Sequence, residues 1–110
     1  MTQVKSDIGE RTTLQEVSDA LSNKSFKVIT ITHVDTSTGV LADVKGISEV
    51  VKKKSPNTLI IVDGVCSVGC EEIRFDEWGI DVVLTASQKA LGVPPGLSIL
   101  VASERAIVSF

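Results

Sequence analysis

Apolar residues in this chain come in two alternating rhythms, short continuous runs and stretches with helical spacing, which predicts repeated strand and helix units. Thr13-Leu14-Gln15-Glu16 has the spacing of a capping box, and Leu14, Val17 and Leu21 follow on one helical face. A first helix is therefore expected from Thr13 to Ser22. Phe26 to Thr32 reads as a strand rich in β-branched residues that ends at His33. The polar loop Asp35-Thr36-Ser37-Thr38-Gly39 leads to a second helix, expected from Asp43 to Lys54, with Val44, Ile47, Val50 and Val51 on one face. Lys52, Lys53 and Lys54 suit the negative end of its dipole as solvated residues, and Pro56 stops it.

Thr58 to Asp63 is nearly continuous in apolar residues and is bounded by Pro56-Asn57 and Gly64. Such a run predicts a central strand, covered on both faces and flanked by parallel neighbours. Ile80 to Thr85 repeats the pattern, and Leu97 to Ala102 makes a fourth apolar run after the turn Gly92-Val93-Pro94-Pro95-Gly96. The expected class is α/β, with a mostly parallel sheet and flanking helices.

Composition narrows the function. The 110 residues are 43% hydrophobic and 23% charged, enough for one modest core. Eleven Lys plus Arg against fourteen Asp plus Glu leave a net charge of −3, so no basic surplus exists for a nucleic-acid backbone or an anionic membrane. Runs such as Leu59 to Val62 are too short to span a bilayer, and the first residues lack a hydrophobic signal region, so an intracellular soluble protein is expected. Cys66 and Cys70 have three residues between them, and the single histidine, His33, is distant in sequence. A zinc site takes about four such ligands, so no metal site is expected. Small buried residues of a tight turn, with reduced thiols, is the simpler reading.

In an open parallel sheet, ligands bind beyond the carboxyl ends of the strands. Here the first strand would deliver His33, Asp35, Thr36, Ser37 and Thr38, the second Asp63, and the third Thr85, Ser87, Gln88 and Lys89. A carboxylate ending a buried strand is unfavourable unless a cation meets it, so Asp63 needs a lysine or a protonated heterocyclic nitrogen. Lys89 follows small polar residues and precedes Ala90-Leu91, which places it at a turn. A lysine desolvated there is suited to Schiff-base chemistry, although it could equally pair with a local acid.

His33-Val34-Asp35-Thr36-Ser37-Thr38-Gly39, then Val62-Asp63-Gly64-Val65-Cys66-Ser67, then Ser87-Gln88-Lys89-Ala90-Leu91 with Pro94-Pro95-Gly96, resembles the class V aminotransferases, most closely their alanine:glyoxylate and serine:pyruvate members. The resemblance runs from Ile29 to Arg105 in the family's order, with a slightly longer helix segment before Asp63. It implies a fold-type I large domain and the cofactor pyridoxal phosphate, with Lys89 as the Schiff-base lysine and proton shuttle. Asp63 would salt-bridge the pyridine nitrogen, and Val65 would pack on the ring face. Gln88 would contact the phosphate from a turn entering a helix, with Ser87 as a further donor. Thr36, or its neighbour Ser37, would meet the phenolic oxygen. His33 would be a polar residue behind the site, and Trp78 with Glu71, Glu72, Asp76 and Glu77 would serve the surface or packing.

The resemblance also implies amino-acid and 2-oxo-acid substrates and a homodimer whose second subunit completes each site. Residues 1–110 would form a single partial domain, the centre of the large domain. The glycine-rich phosphate segment and the aromatic residue on the other ring face would lie upstream. The small domain with its substrate-carboxylate arginine would lie downstream, since Arg11, Arg74 and Arg105 do not match it. A gene fragment, a truncated gene prediction or a mis-split reading frame is thus expected, catalytically incompetent or nearly so in isolation. Cysteine desulfurases and kynureninases share the cofactor but carry a histidine before the lysine, where this chain has Gln88. Receiver-type signalling domains separate the hydroxyl residue from the lysine by a helix and a strand, whereas Ser87 and Lys89 share one turn. A non-catalytic remnant remains compatible with the same motifs.

Overall fold

In the computed structural model, which describes residues 1–109, α-helices and strands alternate as the apolar rhythm predicts. Helix α1 (Leu14–Asn23) starts at Thr13, whose hydroxyl accepts the Glu16 N–H while the Glu16 carboxylate accepts the Thr13 N–H, completing the expected capping box. Strand β1 (Val28–Thr32) is followed by α2 (Val44–Lys54), capped by the Asp43 carboxylate on the Gly46 N–H at 2.8 Å. Strands β2 (Leu59–Asp63) and β3 (Val82–Ala86) flank the short helix α3 (Phe75–Trp78), and β4 (Ser98–Ala102) leads into α4 (Glu104–Val108).

The four strands lie in the order β1-β2-β3-β4, with β1 and β3 parallel to β2 and β4 antiparallel to β3. Helices α1 and α2 pack on one face. Val17, Val44, Ile47 and Val51 from the helices meet Ile31, Ile60, Val62 and Val83 from the sheet, and each full burial is worth roughly 1.5–3 kcal/mol. The three terminal lysines of α2 are exposed, with Lys54 Nζ donating to Ser22 Oγ of α1 at 3.3 Å.

Several expectations change. Strand β2 is covered on one face only, because Ile60 and Val62 are buried while Leu59 and Ile61 are half-buried on the other. A continuous apolar run does not say which of its faces the same chain covers. Each strand also starts one or two residues later than expected, at Val28, Leu59, Val82 and Ser98, although Lys27, Asp81 and Leu97 still make backbone hydrogen bonds to the neighbouring segment. Cys70 is exposed and Cys66 half-buried, so neither is a core residue, and both are free thiols. Among the described residues, no helix is long and apolar enough to cross a membrane.

Helices α3 and α4 are not among the elements that the apolar rhythm predicts. The α4 segment is held by Asp81, buried at the start of β3. Asp81 accepts from Arg105 Nε at 2.9 Å and Nη2 at 2.6 Å, from the Ser103 hydroxyl at 3.0 Å and from the Ile60 N–H at 2.8 Å. Arg105 also donates to the carbonyls of Pro56 and Thr58. Burial opposes ionisation of Asp81, but these donors, Arg105 foremost, hold its pKa below the usual carboxylate value.

Candidate active site

Because β1, β2 and β3 are parallel neighbours, their carboxyl ends open together at the edge opposite the Asp81 cluster. The ladder continues just beyond the strands, with the His33 N–H donating to the Asp63 carbonyl at 3.0 Å and the Gly64 N–H to the Leu84 carbonyl at 2.9 Å. Strand alternation puts Asp63 with Leu59 and Ile61, on the face away from α2. Its carboxylate is half-buried, and Oδ1 accepts the Val65 N–H at 3.0 Å, which fixes the turn and leaves Val65 half-buried beside it. A Cβ on Gly64 would lie 2.7 Å from Val68 Cγ2 and 3.2 Å from the Leu84 carbonyl oxygen, so only glycine fits between Asp63 and Val65.

Thr36 is exposed in the loop after β1. Asp35 shapes that loop, its Oδ1 accepting the Ser37 N–H at 2.6 Å and the Thr38 N–H at 3.1 Å, while Gly39 turns back at φ +71° to bond the Asp35 carbonyl. Thr36 Oγ1 lies 3.2 Å from Cys66 Sγ, tying this loop to the turn after β2. Ser37 makes no such side-chain bridge among the described residues.

Strand β3 ends at Ala86. The buried Ser87 hydroxyl donates to the Pro94 carbonyl at 2.8 Å and accepts the Leu97 N–H at 3.3 Å. It thereby closes the loop from Gln88 to Gly96, and a phosphate contact would require one of those bonds to be exchanged. Gln88 and Lys89 are exposed. Their turn, closed by the Gly92 N–H on the Lys89 carbonyl at 2.9 Å, does not enter a helix as expected. The Pro94-Pro95-Gly96 run and the return into β4 follow too soon for one. The turn touches the one after β2: a Cβ on Gly69, which sits at φ +91°, would come within 3.1 Å of Ala90 Cβ.

Among the described residues, neither Asp63 nor Lys89 is neutralised by an ion pair. Among the described residues the ion pairs are Arg74 with Glu72, Arg74 with Glu77, and Arg105 with Asp81, so Asp63 meets no cation and Lys89 no acid. The alternative in which Lys89 pairs with a local acid is thus not the arrangement seen. A flat heterocycle with a protonated ring nitrogen and a carbonyl would complement both groups, and the donor set fits pyridoxal phosphate. Behind the strand ends, His33 is buried with Nδ1 unpartnered, and burial lowers its pKa against the opposing pull of Glu71. A groove of about 850 Å³ lies elsewhere, between the first twelve residues and the β1 edge, and offers neither Asp63 nor Lys89.

The sequence expectations do not include the Cys66 contact with Thr36 or the Asp81–Arg105 pair. An acid inside the run Ile80 to Thr85 was the available signal for the second, since a buried carboxylate demands a cation.

Known proteins resemble this chain in sequence and in fold. The class-V aminotransferase family model matches residues 1–110. Alanine–glyoxylate aminotransferase 1 of Saccharomyces cerevisiae is 56% identical over 98 residues, covering 89% of this chain and 26% of that protein. Serine–glyoxylate aminotransferase of Arabidopsis thaliana is 42% identical over 107 residues, covering 94% and 27%. The crystal structure of an alanine–glyoxylate aminotransferase from Nostoc superposes with a TM-score of 0.83 at 37% identity, covering 91% of this chain and 26% of that one. A cysteine desulfurase from Thermococcus onnurineus shares the fold, with a TM-score of 0.80 at 20% identity. The chain spans about a quarter of the length of the curated relatives it matches. By the family match over its whole length, this chain belongs to the class-V aminotransferases.

Proposed function

We propose that this chain supplies the lysine-bearing centre of a pyridoxal-phosphate-dependent aminotransferase, which moves an amino group from L-alanine or L-serine to glyoxylate or pyruvate and works as a homodimer. The observation that carries it is that, among the described residues, Asp63 at the end of β2 meets no cation and Lys89 on the turn after β3 meets no acid, while the turns beyond the two strands touch at Gly69 and Ala90. The names of the two curated relatives support alanine, serine and glyoxylate, and pyruvate follows from the resemblance to serine:pyruvate members alone.

When bound, pyridoxal phosphate supplies an aldehyde that condenses with amines and a ring that accepts the electrons left when the substrate loses its α-proton. The Lys89 amine would retain the coenzyme between turnovers and, once free, would take the proton from the substrate α-carbon and deliver it to the coenzyme's former aldehyde carbon, across the nitrogen between them. Asp63 keeps a positive charge on the ring nitrogen, and the same charge offsets its own burial. Val65 shields the ring face from water. The Gln88 amide donates to the phosphate, and the Ser87 hydroxyl shapes that pocket by closing the loop behind it. Thr36 donates to the ring oxygen. Gln88, where a desulfurase carries histidine, favours transamination over sulfur transfer.

The test is a half-reaction with the protein encoded by the whole gene. L-alanine or L-serine should convert bound coenzyme to its amino form, and glyoxylate or pyruvate should restore it. The 110 residues alone should do neither. Sulfur release from L-cysteine without transamination would overturn the reading.

A further inference from the structure

We propose that Cys66 is a positioning residue for Thr36: its thiol donates to Thr36 Oγ1, leaving the Thr36 proton for the ring oxygen of the coenzyme. This rests on the coenzyme reading above and adds a residue that the family resemblance does not supply.

The two residues differ in how firmly they are held. Cys66 is half-buried within a turn closed by three backbone bonds, the N–H groups of Ser67 and Val68 on the Gly64 carbonyl and that of Cys70 on the Ser67 carbonyl. Thr36 is exposed on a loop whose other side-chain bonds bypass it: Asp35 accepts from the Ser37 and Thr38 N–H groups, and Thr38 Oγ1 accepts from the Val40 N–H. The 3.2 Å contact with Cys66 Sγ is the one side-chain hydrogen bond Thr36 makes among the described residues. It therefore sets where that hydroxyl points.

The direction of the bond decides the chemistry. A threonine hydroxyl carries one proton and two lone pairs. Thiol sulfur is a weak acceptor and an anionic ring oxygen a strong one, so with coenzyme bound the Thr36 proton goes to the ring oxygen and the S–H fills a Thr36 lone pair. A donated proton makes the ring oxygen a weaker base, which lets the bound coenzyme's titrating proton leave at lower pH. Loss of the thiol donor should raise that midpoint. Cys70, exposed and without a side-chain hydrogen bond among the described residues, is the natural control.

The experiment uses the whole-gene protein loaded with pyridoxal phosphate and reads two quantities besides turnover: the pH midpoint of the coenzyme's visible absorption and its dissociation constant. Cys66→Ala should raise the midpoint and weaken binding about 3- to 10-fold, the range of one lost hydrogen bond. Cys66→Ser, which keeps a donor, should stay near the parent, and Cys70→Ala should match it. In a Thr36→Val background, Cys66→Ala should have no further effect. A parent-like Cys66→Ala, a Cys66→Ser as impaired as Cys66→Ala, or additive effects with Thr36→Val would each overturn the assignment. A parent protein that binds no coenzyme would instead overturn the broader reading first, and this one with it.

Discussion

Arg105 grips Asp81 through two nitrogens, Nε on one carboxylate oxygen at 2.9 Å and Nη2 on the other at 2.6 Å, and so staples the last helix to the amino ends of β2 and β3. The acid is buried while the guanidinium is about half exposed, with side-chain exposures of 4% and 48%. Replacing Arg105 by methionine leaves a buried carboxylate with only Ser103 and the Ile60 N–H. A loss of about 2–3 kcal/mol is expected, below the full figure for a buried pair because solvent reaches the arginine. Denaturant midpoints check this. Since folding lowers the Asp81 pKa, its contribution is present above the ordinary carboxylate value and vanishes as pH falls through the lowered one. Parent and Arg105→Met stabilities should therefore converge in acid.

Gly64→Ala should destabilise by about 1–3 kcal/mol through overpacking against Val68 and the Leu84 carbonyl. The same crowding displaces the Asp63–Val65 turn, so coenzyme affinity should fall with stability. Calorimetry alongside coenzyme titration tests the coupling, and unchanged affinity in a destabilised protein would count against it.

His33 gives a pH signature opposite in sign to that of a histidine that gains an acidic partner. Burial lowers its folded pKa, so the unfolded chain binds the proton first as pH falls below about 6.5. Stability therefore drops through that window and is regained as pH rises. A His33→Gln protein should show a flatter profile between about pH 7 and 5, measured by urea unfolding at fixed pH values. Equal slopes would mean that His33 is not held neutral.

Much of this architecture was legible in the residues, and the failures have physical causes. The capping box at Thr13 and Glu16 and the lysine-rich end of α2 are local signals, and both elements lie where they were read. The parallel setting of β2 followed from its unbroken apolar run. Helices α3 and α4 are four and five residues long, too short for periodicity, and α4 depends on the distant Asp81. At the candidate site, Asp63 and Lys89 stood out because charges at strand ends need partners. The Thr36–Cys66 contact joins residues 30 apart, and the inward turn of the Ser87 hydroxyl depends on Pro94, so neither could be read locally.

Asp63→Asn should leave stability nearly unchanged, since the acid meets no cation within the described chain, while coenzyme binding weakens and turnover falls by about 10²-fold or more. Asp63→Glu should recover part of both by restoring the charge. Equal loss of stability and activity in both variants would assign Asp63 a purely structural role.

The central claim is that Lys89 holds the coenzyme. Borohydride reduction of the coenzyme-loaded protein, followed by proteolysis and mass mapping, should place the pyridoxyl group on Lys89 and leave Lys89→Ala unlabelled. A pyridoxyl group on another lysine, or equal labelling of Lys89→Ala, would contradict the account.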